Sequence, residues 1–117
     1  MKLSDITEVP LYYVATNIPT KITRSGVEGK SWYITYMNWR VSGSAPVGVS
    51  NLPITLKDGD TTIYVSAIPA KAVNGTNLQI ALGYPIKITE GNSFTFEIAS
   101  PNNPGCIIYT NIGATLR

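Results

Sequence analysis

Apolar and polar positions alternate with a period of two over most of this chain, the signature of half-buried β-strands rather than helices. Leu78, Ile80 and Leu82 alternate, Ile86 and Ile88 repeat the pattern, and Phe94, Phe96 and Ile98 continue it. Val9 to Ala15 is rich in strand-forming residues, with Pro10 marking a strand start or a sheet edge. Thr20 to Arg24 is a short alternating run, and Cys106 to Thr110 predicts a last strand with an extension toward Leu116. The longest signal runs from Ser31 to Val41. On a regular strand one face would carry Trp32, Ile34, Tyr36, Asn38 and Arg40, and the other Tyr33, Thr35, Met37, Trp39 and Val41. Large side chains on both faces predict a central strand, with one face in the core and the other covered in part or set at a subunit contact.

Glycine, proline and asparagine clusters separate these runs. Ser25 to Lys30 reads as a loop, and Gly43 to Pro53 as a crossing segment between sheets. Lys57-Asp58-Gly59-Asp60 carries the Asp-Gly chemistry of a tight hairpin turn, flanked by strands at Ile54–Leu56 and Thr62–Ala67. Ile68 to Val73 is compatible with one helical turn ended by Asn74-Gly75. Gly83-Tyr84-Pro85 and Glu90-Gly91-Asn92 predict turns, and Ser100 to Gly105 a strong break. About seven to nine short strands, spaced at roughly 8–12 residues, predict an all-β domain. Each strand hides one face, so two antiparallel sheets must stack or one sheet must close. A two-sheet β-sandwich without a long helix is the expected architecture, with the jelly roll among its windings.

A length of 117 residues fits one domain, and 44% hydrophobic against 14% charged residues suits a packed core rather than a disordered chain. The expected division is an arm over residues 1–8 followed by one sandwich domain over residues 9–117. The net charge is +2, with lysines and arginines scattered and no run among them, which argues against a nucleic-acid partner. No apolar run reaches the roughly 18–20 residues of a membrane-spanning helix, so no membrane insertion is expected. Met1-Lys2-Leu3-Ser4-Asp5 lacks the apolar core of a signal peptide.

The chain contains no histidine. This removes the usual general base near neutral pH, the commonest metal ligand and every Ser-His or Cys-His nucleophile. One cysteine, Cys106, precludes an intrachain disulfide and cannot anchor a zinc site without histidine; it reads as a buried structural residue. Of the carboxylates, only Glu97 falls inside a predicted strand, and alternation points it to solvent. Asp58-Gly59-Asp60 lacks the further acids of a calcium loop. Asn74-Gly75-Thr76 matches a glycosylation pattern only by chance in a turn. No catalytic residues, cofactor or metal ligands are therefore assigned, and a non-enzymatic role is expected.

The aromatic residues are the most distinctive feature. Trp32, Tyr33, Tyr36 and Trp39 crowd one strand, and Tyr12 stands beside Tyr13 on another. These rings are candidates for a subunit interface, where tyrosine and tryptophan are enriched, or for stacking on sugar rings. Arg40 beside Trp39 is a candidate to stack across a neighbouring chain.

A reading frame opening at Met1, the missing signal and catalytic set, and strand-turn composition throughout give the chain a resemblance to small virion proteins of tailed bacteriophages. These are capsid decoration proteins and the β-domains of head or tail fibres. The resemblance implies a structural protein made in the host cytoplasm and carried in the virion. It implies assembly as a dimer or trimer, with other virion proteins as partners and the N-terminal segment as a docking arm. The alternative expectation is a carbohydrate-binding or adhesion module that uses exposed aromatics.

Overall fold

The computed structural model describes residues 7–43, 51–69 and 77–117. Among them are eight strands: β1 (Thr7–Thr16), β2 (Thr20–Arg24), β3 (Trp32–Gly43), β4 (Asn51–Asp58), β5 (Thr61–Pro69), β6 (Asn77–Lys87), β7 (Phe94–Ile98) and β8 (Cys106–Leu116). They form two four-stranded sheets, ordered β1-β8-β3-β6 and β2-β7-β4-β5, and every pairing is antiparallel. The expected antiparallel sandwich is thus the observed one.

The pairing is nested. β4 pairs β5, β3 pairs β6, β2 pairs β7 and β1 pairs β8. The chain runs out to the Asp58–Thr61 hairpin and returns along itself, with successive rungs falling in alternate sheets. Two further ladders, β8 to β3 and β7 to β4, close each sheet.

Alternation fixes the inward faces. Phe94, Phe96 and Ile98 of β7, Leu52, Ile54 and Leu56 of β4, and Ile108, Ile112 and Ala114 of β8 are all fully buried. The two sheets touch through aromatic pairs. Trp32 meets Phe94 edge-on with centroids 5.4 Å apart, and Trp39 meets Phe96 at 6.2 Å. Such pairs add about 0.5–1.5 kcal/mol beyond the area they bury.

β3 departs from the regular alternation. The ladder to β8 matches Ile34 with Ala114 but Tyr36 with Gly113, so Thr35 is an extra residue, a β-bulge. The bulge joins half of each expected face. Trp32 and Ile34 before it, and Met37, Trp39 and Val41 after it, all point into the core. Tyr33, Tyr36, Asn38 and Arg40 take the outer side. On the other flank the same level is interrupted again: Ile34 pairs with Ile86 and Tyr36 with Ala81, leaving residues 82–85 of β6 outside the ladder. Gly83-Tyr84-Pro85 therefore breaks the pairing without reversing the chain, and β6 runs through it as one strand.

Other boundaries shift for identifiable reasons. β1 starts at Thr7, two residues before the expected Val9, because Thr7 and Glu8 find partners in Leu116 and Thr115. The rest of the expected arm, residues 1–6, lies outside the described residues. Asn51 to Pro53 belongs to β4 rather than to the crossing segment, whose residues 44–50 are outside the description. Pro53 is tolerated there because its carbonyl accepts from Ala99 just beyond the Ile54–Ile98 rung, so its missing N–H falls at the ladder's end. Ile68 and Pro69 close β5; the remainder of the expected helical turn is not among the described residues.

One end of the sandwich is tied together by loops. Asp58, at the tip of β4, accepts hydrogen bonds from the Thr89 amide at 2.9 Å, the Thr89 hydroxyl at 2.6 Å and the Asn92 side chain at 2.9 Å. Gly59 donates to the Ser93 carbonyl. Gly26 lies so close to Gly91 that a methyl on it would overlap the Gly91 carbonyl, so the β2–β3 loop seats only as glycine. Partial burial raises the Asp58 pKa, but the three hydrogen bonds outweigh it and hold the carboxyl below 3.8. The stabilisation is therefore present above the unfolded value and lost as pH falls through the folded one. Asp58→Asn should cost about 1 kcal/mol at neutral pH, discounted for partial exposure. It should also flatten the decline in stability below about pH 4, as urea midpoints measured against pH would record.

Candidate functional site

The outer face of the β1-β8-β3-β6 sheet carries a concentration of aromatic, amide and guanidinium groups. Register sets them in rows. Tyr12, Asn111 and Asn38 stand side by side on β1, β8 and β3; the next row holds Val14, Tyr109 and Arg40. In the opposite direction Gly113 pairs with Tyr36, and beyond it Thr115 pairs with Tyr33. Tyr12 is 61% exposed. Tyr12, Asn38, Arg40, Tyr109 and Asn111 together line an open depression of about 240 Å³.

Two cation–π contacts order the charged groups on this face. The Arg40 guanidinium lies 4.5 Å from the centre of the Tyr109 ring, and that of Arg117 lies 4.1 Å from Tyr33. Arg40 thus stacks within its own chain. Arg117 is fixed further by a backbone exchange with Ser31, donating to its carbonyl and accepting from its amide.

Of the sequence-selected aromatics, Tyr12, Tyr33 and Tyr36 are on this face. Trp32 and Trp39 are not: they are 6% and 2% exposed, packed on Phe94 and Phe96, with the Trp32 indole N–H donating to the Ser25 carbonyl. The β3 bulge is the reason, since it turns both indoles inward, and neither offers a ring face to a sugar or a second subunit. Tyr109 and Asn111 were missed by sequence. The alternation of Ile108, Thr110, Ile112 and Ala114 carries the signal that places them outward; their pairing with β1 and β3 is a property of the fold.

The outer face of the second sheet differs. Lys21 stands opposite Glu97, Thr23 opposite Thr95, and the two threonine hydroxyls lie 3.2 Å apart. Lys21, Lys57, Asp60, Glu97, Gly59 and Thr95 line a depression of about 200 Å³ that holds both signs of charge. Glu97 points outward, as alternation requires. Cys106 is buried, and burial pushes its thiol pKa above the ordinary value, which keeps it protonated and a poor nucleophile. Among the described residues no three or more His, Cys, Asp or Glu side chains gather as a metal site would require.

Gly113 holds the aromatic face in place. The Tyr36 ring lies across it, and a methyl at Gly113 would overlap Cε1 and Cδ1 of that ring and crowd the Thr35 hydroxyl. Gly113→Ala should therefore lift Tyr36 off β8 and cost about 1–3 kcal/mol. In a Tyr36→Ala background the same substitution should cost less than half as much, a coupling that a double-mutant cycle in urea would measure.

No protein family matches this chain, and no curated protein does. Among solved structures it is similar to a chain of infectious bursal disease virus, Gx strain, with 15% identity over 95% of this chain and 31% of that one, at a TM-score of 0.42. A chain of the Gt strain of the same virus gives 16% identity over 92% of this chain and 31% of that one, at 0.32. This chain spans about a third of the length of either.

Proposed function

We propose that this chain is a non-enzymatic structural protein of a virion, of the capsid-decoration or fibre type found in bacteriophages, and that it works as an oligomer of two or three copies. The observation that carries this reading is the nested winding. We read strand orders β1-β8-β3-β6 and β2-β7-β4-β5 as a jelly-roll winding, which is used for viral capsid domains and for lectins. A chain without histidine, whose one thiol is buried, lacks the commonest general base and a thiolate nucleophile at neutral pH.

Assembly is supported by the sheet edges. β5 ends one sheet and β6 the other, and an unpaired edge strand is a template for contact with another chain. Both carry exposed apolar groups: Val65 is 68% exposed on β5 and Tyr84 is 87% exposed in the β6 interruption. We assign the contact between copies to this pair of edges.

Light scattering coupled to size exclusion tests the reading. The expected mass is two or three times 12.6 kDa, and Val65→Lys should shift it toward the single-chain value. A monomer persisting at millimolar concentration would contradict assembly.

A further inference from the structure

We propose that the depression on the outer face of the β1-β8-β3-β6 sheet is a binding subsite for one acidic sugar unit of a glycan. The inference goes beyond the virion assignment and does not depend on it. Its basis is the combination of three chemistries in one lining of five side chains.

The first is a platform. Tyr12 is 61% exposed on β1, with its ring beside the depression. A pyranose presents an apolar face of C–H groups, and an exposed tyrosine offers a flat apolar body with a polar tip to receive it. The second is a pair of amides. Asn111 and Asn38 are direct cross-strand neighbours, next in the row after Tyr12, and each carries both a donor and an acceptor. That is the pattern that reads sugar hydroxyls, which also donate and accept. The third is a fixed cation. Among the described residues Arg40 is the one charged residue in the lining, and no carboxylate joins it there. The Tyr109 ring 4.5 Å away steadies the guanidinium, and Arg40 is exposed on this face, where a ligand can reach it. A planar guanidinium set in this way matches a carboxylate with two parallel hydrogen bonds. A hexuronate or a sialic acid brings that carboxylate together with the hydroxyls and the apolar ring face.

Size points the same way. A volume of about 240 Å³ is below the roughly 300–1,000 Å³ of sites that enclose a drug-sized molecule. It accommodates one sugar unit of a chain whose remaining units run across the open sheet. Tyr36, Tyr33 and the Arg117 stacked on Tyr33 lie farther along the same face.

The second sheet supplies the contrast. Its depression carries Lys21, Lys57, Asp60 and Glu97 but no aromatic ring. It lacks the platform, and its own carboxylates compete for its cations.

Titration followed by ¹H–¹⁵N NMR tests the proposal on the full chain, with oligogalacturonate, oligoglucuronate and sialyl-lactose as acidic probes and cello- and malto-oligosaccharides as neutral ones. At least one acidic probe should shift the side-chain amide signals of Asn38 and Asn111 and saturate. Tyr12→Ala should weaken that binding at least tenfold. Arg40→Gln should abolish the preference for acidic over neutral probes while leaving the backbone spectrum otherwise intact. Val27→Ala removes an exposed apolar side chain of the β2–β3 loop, outside the depression, and should leave sugar binding unchanged. The proposal is overturned if no probe shifts these amides, if acidic and neutral probes bind equally, or if Tyr12→Ala binds as well as the parent. Amide shifts that track protein concentration rather than added sugar would assign the face to self-association and overturn it as well.

Discussion

Thr35 is one residue too many in β3, and the arrangement of both faces of the first sheet depends on it. Trp32 and Trp39 are separated by an odd number of positions, so a regular strand would send one indole into the core and the other into solvent. A bulge at Thr35 resolves the conflict by turning the second half of the strand over. The energies favour it. Interrupting the ladder sacrifices a hydrogen bond worth about 0.5–1.5 kcal/mol net. Leaving Met37, Trp39 and Val41 outside would forfeit roughly 1.5–3 kcal/mol for each large side chain. The same inversion brings Tyr36, Asn38 and Arg40 to the outer face, where they meet Tyr12, Tyr109 and Asn111. Core and surface site are thus two consequences of one local irregularity, and Gly113, opposite the bulge, leaves the room in which the Tyr36 ring lies down.

The nested winding gives the fold its other constraint. Among the described residues β1 finds its ladder with β8, at the far end of the chain, so the outermost rung joins the segments most distant in sequence. Pairing between such distant segments is costly in chain entropy and makes folding slow relative to helical domains of the same size. What rewards closure is the contact between sheets, Trp32 on Phe94 and Trp39 on Phe96, and the clamp of the Asp58 hairpin onto the Thr89–Asn92 turn. The clamp is polar and partly exposed, so its contribution varies with pH, whereas the aromatic contacts are indifferent to it.

The fold class was written plainly in the sequence because alternation is a local property: Phe94-Thr95-Phe96-Glu97-Ile98 can hardly be anything but a strand with one wet face. Asp58-Gly59 marked the central hairpin for the same reason. Two kinds of information were missing. Strand order is non-local, so nothing in Cys106 to Leu116 announces that β8 lies between β1 and β3 and brings Tyr109 beside Tyr12. The bulge was hidden because strict period two was carried through Thr35, which set Trp32 and Trp39 on opposite faces and Tyr33 and Tyr36 likewise. The odd spacing of two large indoles on one strand was the available clue. Gly83-Tyr84-Pro85 misled in the opposite sense: turn chemistry interrupts a ladder as readily as it reverses a chain.

Tryptophan quenching tests the bulge most directly, since Trp32 and Trp39 are the two indoles of the chain. Trp32→Phe and Trp39→Phe each leave one reporter. With the bulge in place, both variants should emit at short wavelength and resist iodide and acrylamide alike. A regular β3 would instead leave one reporter shielded and the other quenched as readily as free tryptophan, and that result would contradict the account.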